Sequence, residues 1–136
     1  RRAVVGWDGG RLAMILAVLE ARCGLSFGDR DVYLNVAGGL RISEPAADLA
    51  AAAALASSAF DVALPQDCVV FGEISLSGEV RPVSRMDGRM KEAAKLGFRR
   101  ALGPADADAA PGLAFTGAHR LADAIQRIHD GDWETR

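Results

Sequence analysis

The sequence has no run of 18 or more apolar residues, and its 136 residues include only two cysteines and two histidines. Without such a run, a membrane span is not expected. Cys23 and Cys68 make neither a disulfide framework nor a metal-ligand spacing, and a reducing cytoplasm fits them. His119 and His129 stand ten residues apart without a metal-ligand pattern. We therefore expect a cytoplasmic chain without a metal site.

Nucleotide-binding motifs are missing as well. No G-x-x-x-x-G-K-[ST] phosphate loop occurs, and the pairs Gly9-Gly10 and Gly38-Gly39 lack both a following lysine and the G-x-G-x-x-G spacing. We therefore expect no ATP hydrolysis by this chain and no cofactor within it. The sequence starts at Arg1 rather than at methionine and shows no leader pattern, so we take it to be a fragment of a longer protein.

What the sequence does contain is enough apolar material for one folded domain. Half of its residues are hydrophobic and 25% are charged, and 15 are glycine. This composition predicts a single globular domain over residues 1–136. Helical and strand patterns alternate along it, which predicts an α+β class, built as an α/β two-layer domain.

The first half of the chain predicts two strands and two helices. RRAVVGW indicates a strand, and Asp8 can cap a helix that carries an apolar stripe and ends near Gly24. DVYLNVAGG returns as a strand with alternating apolar residues. Ser43 is the predicted N-cap of an alanine-rich helix that runs to about Phe60, and the small side chains favour a central, tightly packed helix.

The second half predicts a hairpin followed by a strand between two helices. CVVFGEI indicates one buried strand, and LSGEV a tight turn to an antiparallel strand over Val80 to Val83. A basic helix then ends at Gly97. FRRALGP indicates a short strand, ADADAAPG an acidic loop, and HRLADAIQRIHD a last amphipathic helix.

Four phrases of the chain carry a family resemblance: DGGRLAMILAVLE, NVAGGLRISEPAADLA, FGEISLSGEVRPVS and KEAAKLGFRRALGP. In this order they resemble the proteolytic domain of Lon proteases, and more closely the Lon-like C-terminal domain of the RadA (Sms) family of bacterial DNA repair proteins. The resemblance implies the fold of ribosomal protein S5 domain 2. It also implies a longer protein whose N-terminal zinc finger and RecA-like ATPase core, with their Zn, ATP and Mg, lie outside these residues.

Lon proteases use a serine nucleophile and a lysine base, and the resemblance places both positions in this chain. The Lon serine, in an Asp-Gly-Pro-Ser-Ala-Gly phrase, falls on Ala46, and the lysine that follows Pro-Ile-Gly-Gly-Leu falls on Asp87. A serine hydroxyl needs a neighbouring base, and arginine cannot serve because it stays protonated. We therefore expect a degenerate dyad and no peptidase activity. The alternative is an unconventional peptidase that pairs Ser43 or Ser84 with one of two lysines, Lys91 or Lys95.

Positive charge is concentrated in one segment. The net charge is −2, yet residues 81–100 carry seven basic residues against Asp87 and Glu92, a local excess of +5 that leaves −7 on the rest. Clustered positive charge is typical of phosphate-backbone binding, whereas a charged helix face is also common on solvated or subunit-facing surfaces. The DNA-binding candidates are Arg81, Arg85, Arg89, Lys91, Lys95, Arg99 and Arg100.

The resemblance also implies partners: single-stranded or branched DNA, a homohexamer of like subunits, and the pathways of RecA and of the replicative helicase. No membrane partner is expected, because the sequence has no long apolar run. The preferred hypothesis is a non-proteolytic, DNA-contacting scaffold within a DNA-dependent ATPase that drives branch migration in recombination and repair. A second hypothesis is a pure hexamerisation module without DNA contact, in which the basic segment of one subunit meets an acidic region of the next. That region contains Asp106, Asp108, Asp123, Asp130, Asp132 and Glu134.

Overall fold

A computed structural model describes residues 1–133 and shows a mixed α/β domain, which confirms the predicted class. The first half contains β1 (Arg2–Val5), α1 (Gly9–Cys23), β2 (Val32–Asn35), a short 3-10 turn (Ala37–Gly39) and α2 (Ala47–Phe60). The second half contains β3 (Cys68–Val70), β4 (Glu73–Ile74), β5 (Val80–Arg81), α3 (Met86–Lys95), β6 (Arg100–Pro104), β7 (Ala114–Ala118) and α4 (Leu121–Asp130).

The strands form three small sheets. β1 and β2 pair in parallel, with Arg2 opposite Val32. β6 lies between β3 and β7 in a parallel three-stranded sheet, and its residues Ala101 to Pro104 are buried. This burial is expected of a central parallel strand, which other elements cover on both faces. β4 and β5 form an antiparallel hairpin with Ile74 opposite Val80.

Helix α1 confirms the prediction made for it. The Asp8 carboxylate accepts a hydrogen bond from the Arg11 backbone N–H at 2.8 Å, as an N-cap does. Leu12, Ile15 and Leu19 are buried. The helix ends at Gly24, which adopts a left-handed conformation with φ 67°.

The start of α2 corrects the predicted cap. Ser43 does not cap the helix; the N-cap is Ala46, without a side-chain hydrogen bond. A backbone turn takes the place of the cap, because the Ala47 N–H donates to the Glu44 carbonyl at 3.0 Å and the Asp48 N–H to the Pro45 carbonyl at 3.1 Å. The predicted tight packing is confirmed: α2 packs against α1 and α4, and four of its apolar residues are fully buried. They are Leu49, Ala52, Ala53 and Ala56.

The apolar run from Cys68 to Ile74 is not one strand, which corrects a second prediction. The chain leaves the parallel sheet after Val70 and enters the hairpin at Glu73. Gly72 makes this switch with φ 154°, and a Cβ atom there would lie 2.9 Å from Val80 Cγ1. A residue with a side chain does not fit this conformation and spacing.

The remaining predictions for the second half hold, with one omission. The hairpin is present, although β5 ends at Arg81, since Pro82 has no N–H for a ladder. Gly97 follows the end of α3 with φ 98°. Strand β7 was not predicted, because Ala114–Ala118 contains alanine and glycine and has no clear alternation. α4 buries Leu121, Ile125 and Ile128 as expected.

Two apolar cores hold these elements together. The larger joins α1, α2 and α4, and includes Trp7 and Phe27. The smaller lies under α3 and consists of Ala46, Phe71, Met90, Ala93, Ala101 and Leu113. None of the helices described, all within residues 1–133, is long and apolar enough to cross a membrane.

Candidate nucleic-acid interface

The basic segment consists of helix α3 and the chain on either side of it. This helix buries Met90 and Ala93 against the smaller core. Its opposite face is exposed over Asp87, Gly88, Lys91, Glu92 and Lys95. Arg81 on β5, the turn containing Arg85, and the Arg99–Arg100 pair that leads into β6 extend the segment at both ends of the helix.

Three of the seven predicted DNA-binding residues have partners within the fold. A guanidinium nitrogen of Arg81 lies 3.6 Å from the Glu79 carboxylate. Arg100 lies 3.4 Å from Asp67. Arg89 has two partners: its guanidinium lies 3.3 Å from the Glu44 carboxylate, and its Nε donates to the Ser84 carbonyl at 2.9 Å.

The other four residues are exposed and carry charge that the fold does not use. Arg85, Lys91, Lys95 and Arg99 have no ion pair or side-chain hydrogen bond among residues 1–133. We call this group the free cations. A ten-residue helix such as α3 is about 15 Å long, a length that corresponds to roughly four phosphate steps of one nucleic-acid strand at 3.4 Å per step.

The two positions of the degenerate dyad lie in different environments. Ala46 is 3% exposed and belongs to the smaller core with Phe71 and Met90. Its carbonyl accepts a hydrogen bond from the Gly72 N–H at 2.9 Å. Asp87 is exposed in the first turn of α3. A hydroxyl at position 46 would therefore be enclosed by apolar side chains rather than face a substrate.

The alternative serines also lack a lysine partner. Ser43 lines a surface depression of about 300 Å³ whose other lining residues include no lysine. They are Trp7, Asp8, Arg11, Arg41, Ile42, Glu44 and Pro45. Ser84 is exposed, and neither serine forms a hydrogen bond with Lys91 or Lys95 within the described chain.

Sequence reasoning missed a buried charged cluster beside the α2 N-terminus. Asp48 is fully buried and is bound by both Nε and a terminal nitrogen of Arg11, the former at 2.8 Å. It also accepts the Ile74 N–H at 3.0 Å, and Glu73 lies 3.7 Å from Arg11. The hydrogen bond to Asp48 raises the pKa of Arg11. The sequence did offer a signal of this burial. Asp48 stands one helical turn before Ala52, so the two residues lie on the same face of α2, which is buried.

The predicted acidic region is exposed where it is described. Asp106, Asp108, Asp123, Asp130 and Asp132 all lie at the surface, and Glu134 lies outside the described residues. The hydrogen bond from His129, followed by the one from Gln126, lowers the pKa of Asp130. No cluster of three or more metal-ligating side chains occurs in residues 1–133. Burial raises the pKa of Cys23 and of Cys68 to about 11 in each case.

Comparison with known proteins gives two kinds of similarity. Proteins named DNA repair protein RadA match the chain: that of Brucella abortus (strain 2308) is 75% identical over 101 residues, covering 74% of this chain and 22% of that protein. The one from Rickettsia prowazekii (strain Madrid E) is 54% identical over 102 residues, 75% of this chain and 23% of that protein. The one from Escherichia coli (strain K12) is 47% identical over 133 residues, 96% of this chain and 29% of that protein.

The chain thus spans about a quarter of the length of these relatives. A family model described as subunit ChlI of Mg-chelatase matches residues 11–107, well over half of the chain. The matched region runs from α1 through β6 and includes both the buried Asp48 cluster and the basic segment. The chain therefore belongs to the family described as subunit ChlI of Mg-chelatase.

Proposed function

We propose that this domain is a non-proteolytic, DNA-contacting scaffold within a DNA repair protein of the RadA type. The similarity to proteins of that name, which reaches 96% of the chain, supports the repair role. The observation that carries the DNA contact is the set of free cations along α3, since the fold leaves their charge unneutralised. The Lon-like character and the S5 domain 2 fold are part of the proposal.

The mechanism of contact is electrostatic. Arg85, Lys91, Lys95 and Arg99 approach phosphate oxygens and release condensed counterions, which gives affinity without sequence preference. Neutralising four phosphates predicts a slope of log K against log salt of about −2.8 for single strands and about −3.6 for duplex DNA. Raising the salt from 50 to 200 mM should then weaken binding by roughly 50- to 150-fold.

The domain itself performs no peptide hydrolysis in this proposal. Ala46 offers no hydroxyl and is enclosed in the smaller core, and Asp87 is an exposed acid where a base is required. The pairing of Ser43 or Ser84 with a lysine is disfavoured, because no hydrogen bond joins them within residues 1–133. A serine-reactive probe should therefore leave the protein unlabelled.

The proposal extends to the whole protein, of which this chain is a part. The parent would be a cytoplasmic DNA-dependent ATPase that drives branch migration on single-stranded or branched DNA. Its ATP, Mg and Zn would be bound by other domains, with RecA and the replicative helicase as functional partners. In a homohexameric ring, the domain would hold DNA beside the ATPase core.

The deciding experiment is a salt titration of DNA binding. Fluorescently labelled single-stranded and branched DNA would be titrated with the protein between 50 and 200 mM salt. Reversing Lys91 and Lys95 together to glutamate should lower the affinity and flatten the slope by about 1.4 to 1.8, because two phosphate contacts are lost.

The matched control changes the net charge equally at two exposed arginines outside the segment. Arg22→Glu with Arg30→Glu alters the end of α1 and the loop before β2. This control should leave the slope unchanged. Equal affinities for the Lys91/Lys95 variant and the unsubstituted protein would refute DNA contact through α3.

One observation favours a second candidate, a pure assembly module. The exposed carboxylates of Asp106, Asp108 and Asp123 can complement the free cations of a neighbouring subunit. That function predicts hexamers by sedimentation, no DNA binding at 50 mM salt, and dissociation of the ring by the Lys91/Lys95 reversal.

A further inference from the structure

Arg85 has an unusual backbone conformation. Its φ of 59° and ψ of 39° lie in the left-handed region, which is disfavoured for residues with a side chain. Asp61 is the other non-glycine residue with positive φ in residues 1–133, and it ends α2, where left-handed residues commonly close helices. Arg85 instead precedes a helix, where an extended conformation is usual.

The fold offers nothing that offsets this conformation. Glycine adopts positive φ without steric cost. The arginine side chain gains nothing visible in exchange, because it is exposed, does not cap α3 and has no partner among the described residues. Strain that the fold does not offset points to a role outside the fold.

Arg89 holds the turn that contains Arg85. Its Nε binds the Ser84 carbonyl at 2.9 Å, its backbone N–H binds the Arg85 carbonyl at 3.0 Å, and its guanidinium lies 3.3 Å from Glu44. The Ser84 carbonyl and the Glu44 carboxylate hold the Arg89 side chain from two sides, and Glu44 offsets its positive charge. Arg89 therefore links the residues just before α2 to the start of α3.

We infer that Arg85 is a phosphate-contacting residue at one end of the free cations, and that Arg89 is a positioning residue that acts through it. This inference rests on the proposed DNA contact. The inference gives different roles to two arginines that stand four positions apart and that charge alone would treat as equivalent. Glu44, an acid, then supports DNA binding by holding Arg89 in place.

The first test is Arg85→Gly, a change that suits the observed backbone. We expect a melting temperature no lower than that of the unsubstituted protein, because glycine accepts positive φ. We also expect weaker binding to single-stranded DNA, with a salt slope reduced by about one unit. Unchanged affinity and slope, in an experiment where the Lys91/Lys95 reversal does weaken binding, would overturn the inference and leave the proposed function standing.

The second test is Glu44→Gln, which removes a negative charge and weakens the hold on Arg89. If electrostatics alone governed, this variant would bind DNA more tightly, since an acid has been neutralised and Arg89 released. The inference predicts the opposite sign: weaker binding, seen only when Arg85 is present. Tighter binding, or the same loss in the Arg85→Gly background, would refute the positioning role of Arg89.

Discussion

Replacing the buried Asp48 with alanine should destabilise the domain strongly. The change removes the acceptor of two Arg11 hydrogen bonds and of the Ile74 N–H. Removing one member of a buried ion pair costs about 3–5 kcal/mol, and leaving a buried N–H unsatisfied about 1–3 kcal/mol. The Arg11 side chain is 32% exposed, so water can solvate it in the variant and reduce the first cost.

We therefore expect a loss of roughly 3 kcal/mol in the free energy of unfolding for Asp48→Ala. For a domain of this size, that corresponds to a melting temperature lowered by about 10 °C. Asp48→Asn should cost less, because its amide oxygen can still accept the Ile74 N–H while the charge is lost. Asp108→Ala, an exposed acid in a loop, is the matched control and should change stability by less than about 0.5 kcal/mol.

The measurement is urea and thermal unfolding followed by circular dichroism, with a double-mutant cycle that adds Arg11→Met. The two residues should show a coupling energy of about 1–3 kcal/mol, because each single change leaves the other charge without its partner. If Asp48→Ala lowers the free energy of unfolding by less than about 1 kcal/mol, or if the effects in the cycle are additive, the buried pair of Arg11 and Asp48 does not stabilise the start of α2.

Four further predictions concern other parts of the fold. The double variant Ala46→Ser with Asp87→Lys should neither cleave casein nor bind a serine-reactive probe, since position 46 is 3% exposed; labelling would contradict this. At pH 8, Cys23 and Cys68 should react with Ellman's reagent about a hundredfold more slowly than thiols of ordinary pKa, because a pKa of about 11 leaves little thiolate. Both thiols ionise near pH 9 in the unfolded chain but only near pH 11 in the folded one, so the free energy of unfolding should fall between about pH 9 and 11. A double Cys→Ala variant should show a smaller fall over the same range. Gly72→Ala should cost roughly 2 kcal/mol in urea unfolding, and a neutral effect would contradict the steric argument.

Local signals made much of the fold predictable from the sequence. The Asp8 cap, the left-handed Gly24 and the apolar stripe of α1 depend on neighbouring residues, so their pattern is visible in the chain itself. The hairpin followed in the same way from LSGEV. The prediction of Ser43 as the N-cap of α2 was wrong, because a backbone turn replaces the side-chain cap there.

Features that depend on distant residues were not predictable. The apolar run through Phe71 and Gly72 shows no break, and the change of sheet depends on where β5 and β6 lie. Likewise, charge alone could not divide the basic segment. Arg89 is neutralised by Glu44 and Arg100 by Asp67, each more than 30 positions earlier in the chain. The free cations emerge only from the folded arrangement.

The larger core has a consequence for synthesis. α4 is the last element within residues 1–133, yet it supplies Leu121, Ala124, Ile125 and Ile128 to the core shared with α1 and α2. A nascent chain therefore exposes the apolar faces of those two helices until α4 has left the ribosome. Chaperones that recognise exposed apolar surface should bind nascent chains that stop before α4 and release those that include it.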